Sequence, residues 1–417
     1  MRATLWLLAL FGVAAAIALF AGNNQGTVTV FWPPYRVDLS LNLVLLLLLG
    51  AFILLYAALQ ALAALFAMPR QALRWRTQQK ERAMHGALLD AISHLWAGRF
   101  IRARKSAEAA LAQEQSLEAG GQRPSDGGQL RAVAHLLAAE SAQALQDRAG
   151  RDEHLKHAMT QSATRDAQET HEGAIMRATE WTLQDNEPDA AIGWLKGLPQ
   201  GAARRTLALR MKLRAARLAQ RTQEALETAR LLAKHHAFSP EAAQSLVRGL
   251  AVDLLNGAHD VAQLQRAWLA LEPSERALAD VAIHAARRLV ALGGETQLAR
   301  EWLLPVWERY TQLPSGTRMK LVAAMEEGLD SIDGIWLARI EAAQKAQPRD
   351  ATLQYLAGMA CMKRQLWGKA QQLLTQAALG LQDAQLHRNA WRAVAELAEQ
   401  RGDGESAAQA WKRAAEQ

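Results

Sequence analysis

The stretch RNAWRAVAELAEQRGDGESAAQAWKRA, residues 388–414, has the pattern of two helices joined by a tight turn. Trp391 and Trp411 supply bulk to the two halves, and Gly402-Asp403 marks the turn between them. Small side chains let two helices approach closely, so the stretch predicts a tightly packed helix pair. The small residues that fit this pattern are Ala395, Ala398, Ala407 and Ala414.

Similar pairs recur upstream, as in tetratricopeptide repeats, which are helix pairs of about 34 residues. Gly358, Ala370 and Ala377 hold the corresponding small positions just before the last pair. Since one pair cannot bury its apolar face alone, neighbouring pairs are expected to stack into an α-solenoid with a concave groove. Strand-forming residues are scarce after position 70, so the predicted fold class is all-α. Weaker copies of the pattern lie around 84–110, 171–197 and 206–232.

Two segments interrupt this pattern. Residues 114–129, EQSLEAGGQRPSDGGQ, are rich in glycine and polar residues and predict a flexible loop. Residues 271–314 contain three prolines and Gly293-Gly294, which shorten or break helices. The predicted solenoid therefore covers 83–417, with a possible subdivision near 271–314.

Two uncharged apolar runs precede the solenoid, at 4–22 and 43–67. At a rise of about 1.5 Å per residue, each is long enough to cross a hydrocarbon core of roughly 30 Å. The sequence therefore predicts a transmembrane hairpin over 1–69. The first run could instead be a secretory signal, but no small-residue cleavage site follows Phe20, and the second run would anchor the chain in either case.

Charge asymmetry predicts the orientation of this hairpin. A basic neck over 70–82 follows the second run, whereas the intervening loop carries only Arg36 against Asp38. Under the positive-inside rule, the N-terminus and the solenoid are cytoplasmic and the loop is outside. The neck is also expected to contact anionic lipid. Its basic residues are Arg70, Arg74, Arg76, Lys80 and Arg82.

The outside loop contains TVTVFWPPYRVDLS, residues 27–40, in which apolar and polar side chains alternate on both sides of Pro33-Pro34. This alternation predicts a small β-hairpin with its bend at the prolines. Two strands alone are expected to be only marginally stable.

Composition and the absence of known motifs limit the classes of function that this protein can have. The net charge of +7 favours acidic partners or an anionic membrane surface, and no nucleic-acid-binding motif accompanies it. Cys361 is the single cysteine, cannot form an internal disulfide and is interpreted as a small core residue. The sequence contains no phosphate loop, zinc-binding H-E-x-x-H or G-x-S-x-G nucleophile elbow. Because a helical solenoid usually acts as a binding surface, we expect a non-catalytic protein.

A basic stripe is the first candidate for partner binding. Its residues are separated by steps of 4, 3 and 4, which predicts one face of a helix, and arginine suits bidentate contact with carboxylates. The stripe could hold an acidic protein segment or the carboxylates of a porphyrin; alternatively, it is a solvated face paired with glutamates of a neighbour. It consists of Arg210, Arg214, Arg217 and Arg221.

His154 and His157 are the second candidate. Three residues apart on a predicted helix, their rings share one face, and neutral imidazole is a common axial ligand of haem iron. The plainer interpretation is a solvated polar face beside Arg151 and Lys156. No cofactor is predicted, and binding of haem or porphyrin is left open.

The order of these parts resembles the proteobacterial HemY family. The residues that carry the resemblance are the outer loop, the neck LRWRTQQKER at 73–82, the segment AGRFIRARKSAEAA at 97–110 and the repeats that follow. The resemblance implies an inner-membrane protein linked to a late step of protohaem IX synthesis, with no established catalytic activity. A flavin-dependent protoporphyrinogen oxidase shares the name but needs a G-x-G-x-x-G motif, which this sequence lacks.

We therefore expect a multi-pass inner-membrane scaffold or coordinator that binds late haem-synthesis enzymes, with porphyrin or haem as a further possible ligand. The alternative is a general assembly or quality-control anchor that uses the same groove for other inner-membrane proteins. Anionic lipid is an expected contact in both cases, and nucleic acid is not.

Overall fold

A computed structural model gives the structure of residues 25–121, 126–163 and 167–415, with a few isolated positions before residue 25. The first predicted span, 4–22, lies outside the described residues. In the segment 64–74 only the backbone is described.

The chain enters the described region through a two-stranded antiparallel hairpin. Strand β1, Thr27–Trp32, pairs with strand β2, Tyr35–Ser40, in the register Thr27↔Ser40 to Trp32↔Tyr35. Pro33-Pro34 form the turn and are joined by a cis peptide bond. The predicted hairpin is confirmed, and its bend lies where the two prolines remove backbone donors.

Helix α1, Leu41–Trp96, follows the hairpin directly and is 56 residues long. Ser40 caps it, since its hydroxyl accepts a hydrogen bond from the amide of Leu43 at 3.3 Å. Its segment Leu41–Ala63 contains no buried residue, and among the described residues this is the one helix long and apolar enough to cross a membrane. The basic neck continues the same helix, so the described part of the chain supports one span.

The rest of the chain is helical, and no strand lies among the described residues after Ser40. The whole chain divides into two compact units, Met1–Thr170 (unit 1) and His171–Gln417 (unit 2). The helices after α1 are α2 Phe100–Ala119, α3 Gly127–Ala144, α4 Arg148–Gln161, α5 Gln168–Gln184, α6 Pro188–Lys196, α7 Gln200–Ala203, α8 Thr206–Leu218, α9 Thr222–Lys234, α10 Pro240–Asn256, α11 Val261–Ala270, α12 Pro273–Arg276, α13 Ala279–Ala291, α14 Thr296–Trp307, α15 Ser315–Glu327, α16 Gly334–Ala346, α17 Ala351–Lys363, α18 Trp367–Gly380, α19 Ala384–Gln400 and α20 Gly404–Ala415.

The same turn recurs along the chain. The first helix of a pair ends at a residue with positive φ, and the next amide donates to the carbonyl five residues earlier, as from Asp147 to Ala142 at 2.9 Å. This arrangement satisfies carbonyls that the helix end leaves free. Its recurrence confirms the predicted succession of helix pairs. The positive-φ residues of these turns are Gly98, Gln146, Asn186, Gln220, His236, Gly293, Gln365 and Gly402.

Small residues do allow close helix approach in the C-terminal pairs. A Cβ atom on Gly358 in α17 would lie 2.6 Å from Leu374 Cγ and 3.2 Å from the Leu374 amide nitrogen in α18. Ala370 and Ala377, predicted to occupy such contacts, are fully buried. The predicted crossing of these two helices is therefore confirmed.

The two interrupted segments differ in outcome. The predicted loop at 114–129 is wrong at both ends, because α2 continues to Ala119 and α3 begins at Gly127. Leu117 is buried there, and buried Glu114 pairs with Arg131 at 3.4 Å, which extends the helix. Residues 271–314 contain the short helix α12 and a 3-10 turn at Tyr310–Gln312, and the hydrophobic core of unit 2 continues through them.

Candidate functional surfaces

The basic neck forms an exposed face on α1. The side chains of Arg76, Lys80 and Arg82 are exposed, while those of Arg70 and Arg74 lie outside the described residues. Lys80 Nζ approaches the carbonyl of Ser116 in α2 at 3.5 Å. The exposed cations are available to anionic groups, and their contact with lipid stays a prediction.

The two predicted histidines in α4 form a cluster with a third, His135 in α3. His135 Nδ1 lies 3.1 Å from His154 Nδ1, and the His135 ring stacks on His157 with centroids 5.0 Å apart and 21° between the planes. Sequence spacing placed His154 and His157 on one face of a helix. It did not predict His135, whose contact depends on how α3 packs against α4.

Burial, together with the neighbouring His154 and His157, lowers the pKa of His135 to about 4. Burial also lowers the pKa of His154. Both rings are therefore neutral at pH 7, which allows an N–H···N hydrogen bond between them. This contact holds α3 and α4 together as long as the rings stay neutral.

The geometry of the cluster bears on ligand binding. Among the described residues, no group of three or more histidine, cysteine, aspartate and glutamate side chains could hold a metal ion. Two aromatic planes approach no closer than about 3.5 Å, so the stacked rings of His135 and His157 leave no space for a porphyrin between them. The role of His154 and His157 as haem ligands stays a prediction.

Three residues of the basic stripe lie together on α8. Arg214 and Arg217 are exposed and have no hydrogen bond or ion pair within the described part of the chain. Arg210 donates to the carbonyl of Ala237 at 2.8 Å and lies over the Phe238 ring at 5.5 Å from its centroid. The two unpaired guanidinium groups are available for carboxylates of a partner.

The fourth residue corrects the sequence prediction of a single helical stripe. Helix α8 ends at Leu218, and Gln220 with φ of 57° turns the chain before Arg221. Arg221 precedes α9 and binds Asp189 at 2.6 Å and Glu224 at 3.4 Å. Arg221 is thus not on the face of Arg214 and Arg217, since the helical period does not continue through the turn.

An open cavity of about 810 Å³ adjoins this surface between α9, α10 and α12. Phe238, which contacts Arg210, is part of its wall, so the stripe and the cavity meet at this ring. Arg230 at the rim is committed to Glu275 through bonds of 2.7 and 2.6 Å. An apolar wall with a mixed-charge rim suits an amphipathic protein segment, and no sequence motif indicated it. Its apolar residues include Leu231, Phe238, Val247 and Leu278.

Comparison with solved structures gives weak likenesses. A structure of Naa15/Naa10 bound to HypK-THB is similar over 78% of this chain and 57% of that chain, with 12% identity and a TM-score of 0.26. A crystal structure of the APC/C hetero-tetramer Cut9-Hcn1 is similar over 80% of this chain and 66% of that chain, with 14% identity and a TM-score of 0.28. The chain spans less than two thirds of the length of each, and at these TM-scores neither supports an argument about function.

Comparison with families is more informative. No curated protein matches the sequence. Residues 26–146 match the family model described as HemY protein N-terminus. The matched segment contains the hairpin, α1 with its span and neck, and the helices up to α3. Over this segment, the chain is therefore similar to the N-terminal part of the HemY family.

Proposed function

We propose that this protein is a membrane-anchored, non-catalytic scaffold that acts in a late step of protohaem IX synthesis by binding partner proteins. The observation that carries the proposal is the HemY match over 26–146, which supports a role in haem synthesis. The helix pairs supply a large surface for protein contacts, as helical repeats commonly do.

The arrangement of surfaces supports protein binding ahead of carriage of a porphyrin. Arg214 and Arg217 offer unpaired guanidinium groups on α8, the helix whose Arg210 contacts Phe238 in the wall of the cavity. A partner segment with acidic and apolar side chains would complement both. The stacked rings of His135 and His157, with centroids 5.0 Å apart, leave no space for a macrocycle between them.

We further propose that the chain crosses the inner membrane twice, with its N-terminus and helical units in the cytoplasm. The exposed basic neck after the span supports this orientation. Reporter fusions after residues 30 and 80 test it, since the first should report the periplasm and the second the cytoplasm. A periplasmic reporter at residue 80 would overturn the orientation.

The pathway assignment is tested by deleting the gene and measuring haem and porphyrin pools. We expect haem to fall and a late porphyrin to accumulate, with recovery when the full chain is supplied. An Arg214→Glu/Arg217→Glu chain should restore the pools less well than an Arg36→Gln chain, which removes a cation from the hairpin instead.

Unchanged pools in the deletion strain would contradict the proposal. Crosslinking in the complemented strain separates it from the alternative of a general assembly or quality-control anchor. Late haem enzymes should dominate the crosslinked proteins. A predominance of other envelope proteins would favour the alternative.

A further inference from the structure

We propose that the end of unit 1 where α1 turns into α2 is a docking site for an acidic, amphipathic segment of a partner protein. This site, the tip patch, lies where the α1–α2 turn meets the end of α3. The inference deepens the proposed function and rests on it for the idea that the chain organises other proteins. The tip patch consists of the groove-lining residues Arg99, Ile101, Arg102 and Leu145, together with exposed Trp96, which ends α1 just before the turn.

Its apolar side chains are unusually exposed. Trp96 is 84% exposed, Ile101 72% and Leu145 39%. Ile101 and Leu145, which come from different helix pairs, line one open groove of about 480 Å³ together with Phe100. Large exposed apolar side chains grouped in this way mark interaction sites, and tryptophan and arginine carry much of the energy of protein interfaces.

The charge of the patch selects the partner. Arg99 and Arg102 are exposed and make no side-chain hydrogen bond or ion pair within the described residues. Two acids of the adjoining elements, Glu108 and Asp147, are both occupied by Arg104, at 2.9 and 2.7 Å. The unpaired guanidinium groups therefore complement carboxylates placed beside apolar side chains.

The patch is organised before any partner binds. Arg104 in α2 joins Asp147 in the next turn, and Asp147 also accepts a hydrogen bond from the Gly150 amide at 3.0 Å. The amide and the guanidinium hold the pKa of Asp147 below its usual range, so the contact is charged at neutral pH. Fixing the two turns in advance lowers the entropic cost of docking.

Position and charge favour a protein over the alternatives. At about 1.5 Å per residue, Trp96 lies about 50 Å along α1 beyond Ala63, where the span ends. Surface charges of the bilayer are screened over about 8–10 Å, so the headgroups do not reach the patch. A second copy presenting the same patch would bring like charges together.

The test uses the full chain in lipid nanodiscs and a fluorescent synthetic helix with glutamate on one face and leucine on the other. Binding is measured by anisotropy. The Arg99→Glu/Arg102→Glu chain should bind at least tenfold more weakly, and a peptide with glutamine in place of glutamate should lose as much. An Arg364→Glu/Arg392→Glu chain, which reverses two exposed arginines outside both proposed binding surfaces, is the matched control and should change affinity less than twofold.

Equal affinity for the glutamine peptide, or undiminished binding by Arg99→Glu/Arg102→Glu, would overturn the tip patch. The tip patch would also be overturned if this variant lost self-association or binding to anionic vesicles but still bound the peptide. Circular dichroism and a melting curve matching the wild type exclude a folding defect.

Complementation separates this inference from the proposed function. The Arg99→Glu/Arg102→Glu chain should fail to restore the haem and porphyrin pools of the deletion strain. Full restoration would overturn the tip patch and leave the scaffold intact. Unchanged pools in the deletion strain itself would overturn the scaffold in haem synthesis, while the peptide measurement would still decide whether the patch binds acidic segments.

Discussion

Unit 1 and unit 2 are packed by different means. The apolar clusters described in unit 1 are small and rich in alanine, as in the one formed by Ala91, Ala107 and Ala138. Unit 2 has an extended core that includes Trp302, stacked on Trp268 with centroids 4.6 Å apart. Polar side chains supplement the alanine contacts of unit 1, above all in the cluster around His135.

Because the two units are packed differently, their stabilities should depend on different conditions. Burial of apolar area contributes about 25 cal/mol per Å² and is indifferent to pH. A contact between neutral histidines is lost once the rings are protonated. We therefore expect unit 2 to be sensitive to loss of volume and unit 1 to be sensitive to acid.

Trp302→Ala should have the largest effect of these variants, and it should destabilise unit 2. Trp302 is 7% exposed, and removing a buried aromatic ring costs about 3–5 kcal/mol of unfolding free energy. Hydrogen exchange should show lost protection in unit 2 and unchanged protection in unit 1. Trp411→Ala, at a 37% exposed position, should cost much less. Equal loss in both units would show that they unfold together.

Gly358→Ala should cost about 1–3 kcal/mol, because the new methyl group meets Leu374 Cγ at 2.6 Å and the backbone of α18 at 3.2 Å. Thermal melting of the full chain measures the effect. Gly368→Ala in the same helix pair is the control, since its methyl group would meet nothing within 4 Å. A melting temperature for Gly358→Ala at or above that of the wild type would contradict the close packing of these helices.

Acidification should destabilise unit 1 selectively. The pKa of His135 is about 4 in the folded chain and near 6.5 in the unfolded chain, so the unfolded chain binds more protons between these values. The contribution is complete above pH 6.5 and is lost as the pH falls toward 4. Solvent screens the half-buried ring, so we expect a loss of about 1 kcal/mol.

Hydrogen exchange of α3 and α4 at pH 7 and pH 5 measures this loss, with the helices of unit 2 as the internal reference. His135→Leu should flatten the difference between the two pH values. An unchanged pH dependence in that variant would show that other groups in unit 1 titrate instead.

Arg214→Gln/Arg217→Gln should have the smallest effect on stability, below about 0.5 kcal/mol, since these exposed side chains have no partner within the described residues. Arg230→Gln is the contrasting control, because it leaves Glu275, 4% exposed, without its bidentate partner and should cost about 1–3 kcal/mol. Chemical denaturation measures both. A large loss in the double variant would show that the stripe is structural.

Local patterns predicted local structure well. Alternation around Pro33-Pro34 predicted the hairpin, and the small residues of the last pairs predicted their crossing. The turn of the last pair was visible in the sequence because a glycine, Gly402, adopts the positive φ there. Gln220 and Gln365 adopt the same conformation without a sequence signal, because the pairing of the helices imposes it.

The candidate sites were predicted only in part, because they depend on tertiary contacts. His135 joins His154 and His157 through the packing of α3 on α4, which one-dimensional spacing does not encode. The spacing of Arg221 continues the helical period of the stripe beyond the end of α8. Periodicity alone therefore could not reveal the turn at Gln220. The tip patch likewise needs two turns, far apart in sequence, to lie side by side.

Because α1 runs unbroken from its membrane-spanning segment into unit 1, a change in the tilt of that segment moves unit 1. A transmembrane helix tilted by about 20°, a common value, would displace the far end of a 50 Å extension sideways by about 17 Å. Changes in bilayer thickness that alter tilt are thereby magnified at Trp96. Lipid composition would then set the lateral distance from the membrane span at which the tip patch can meet a partner.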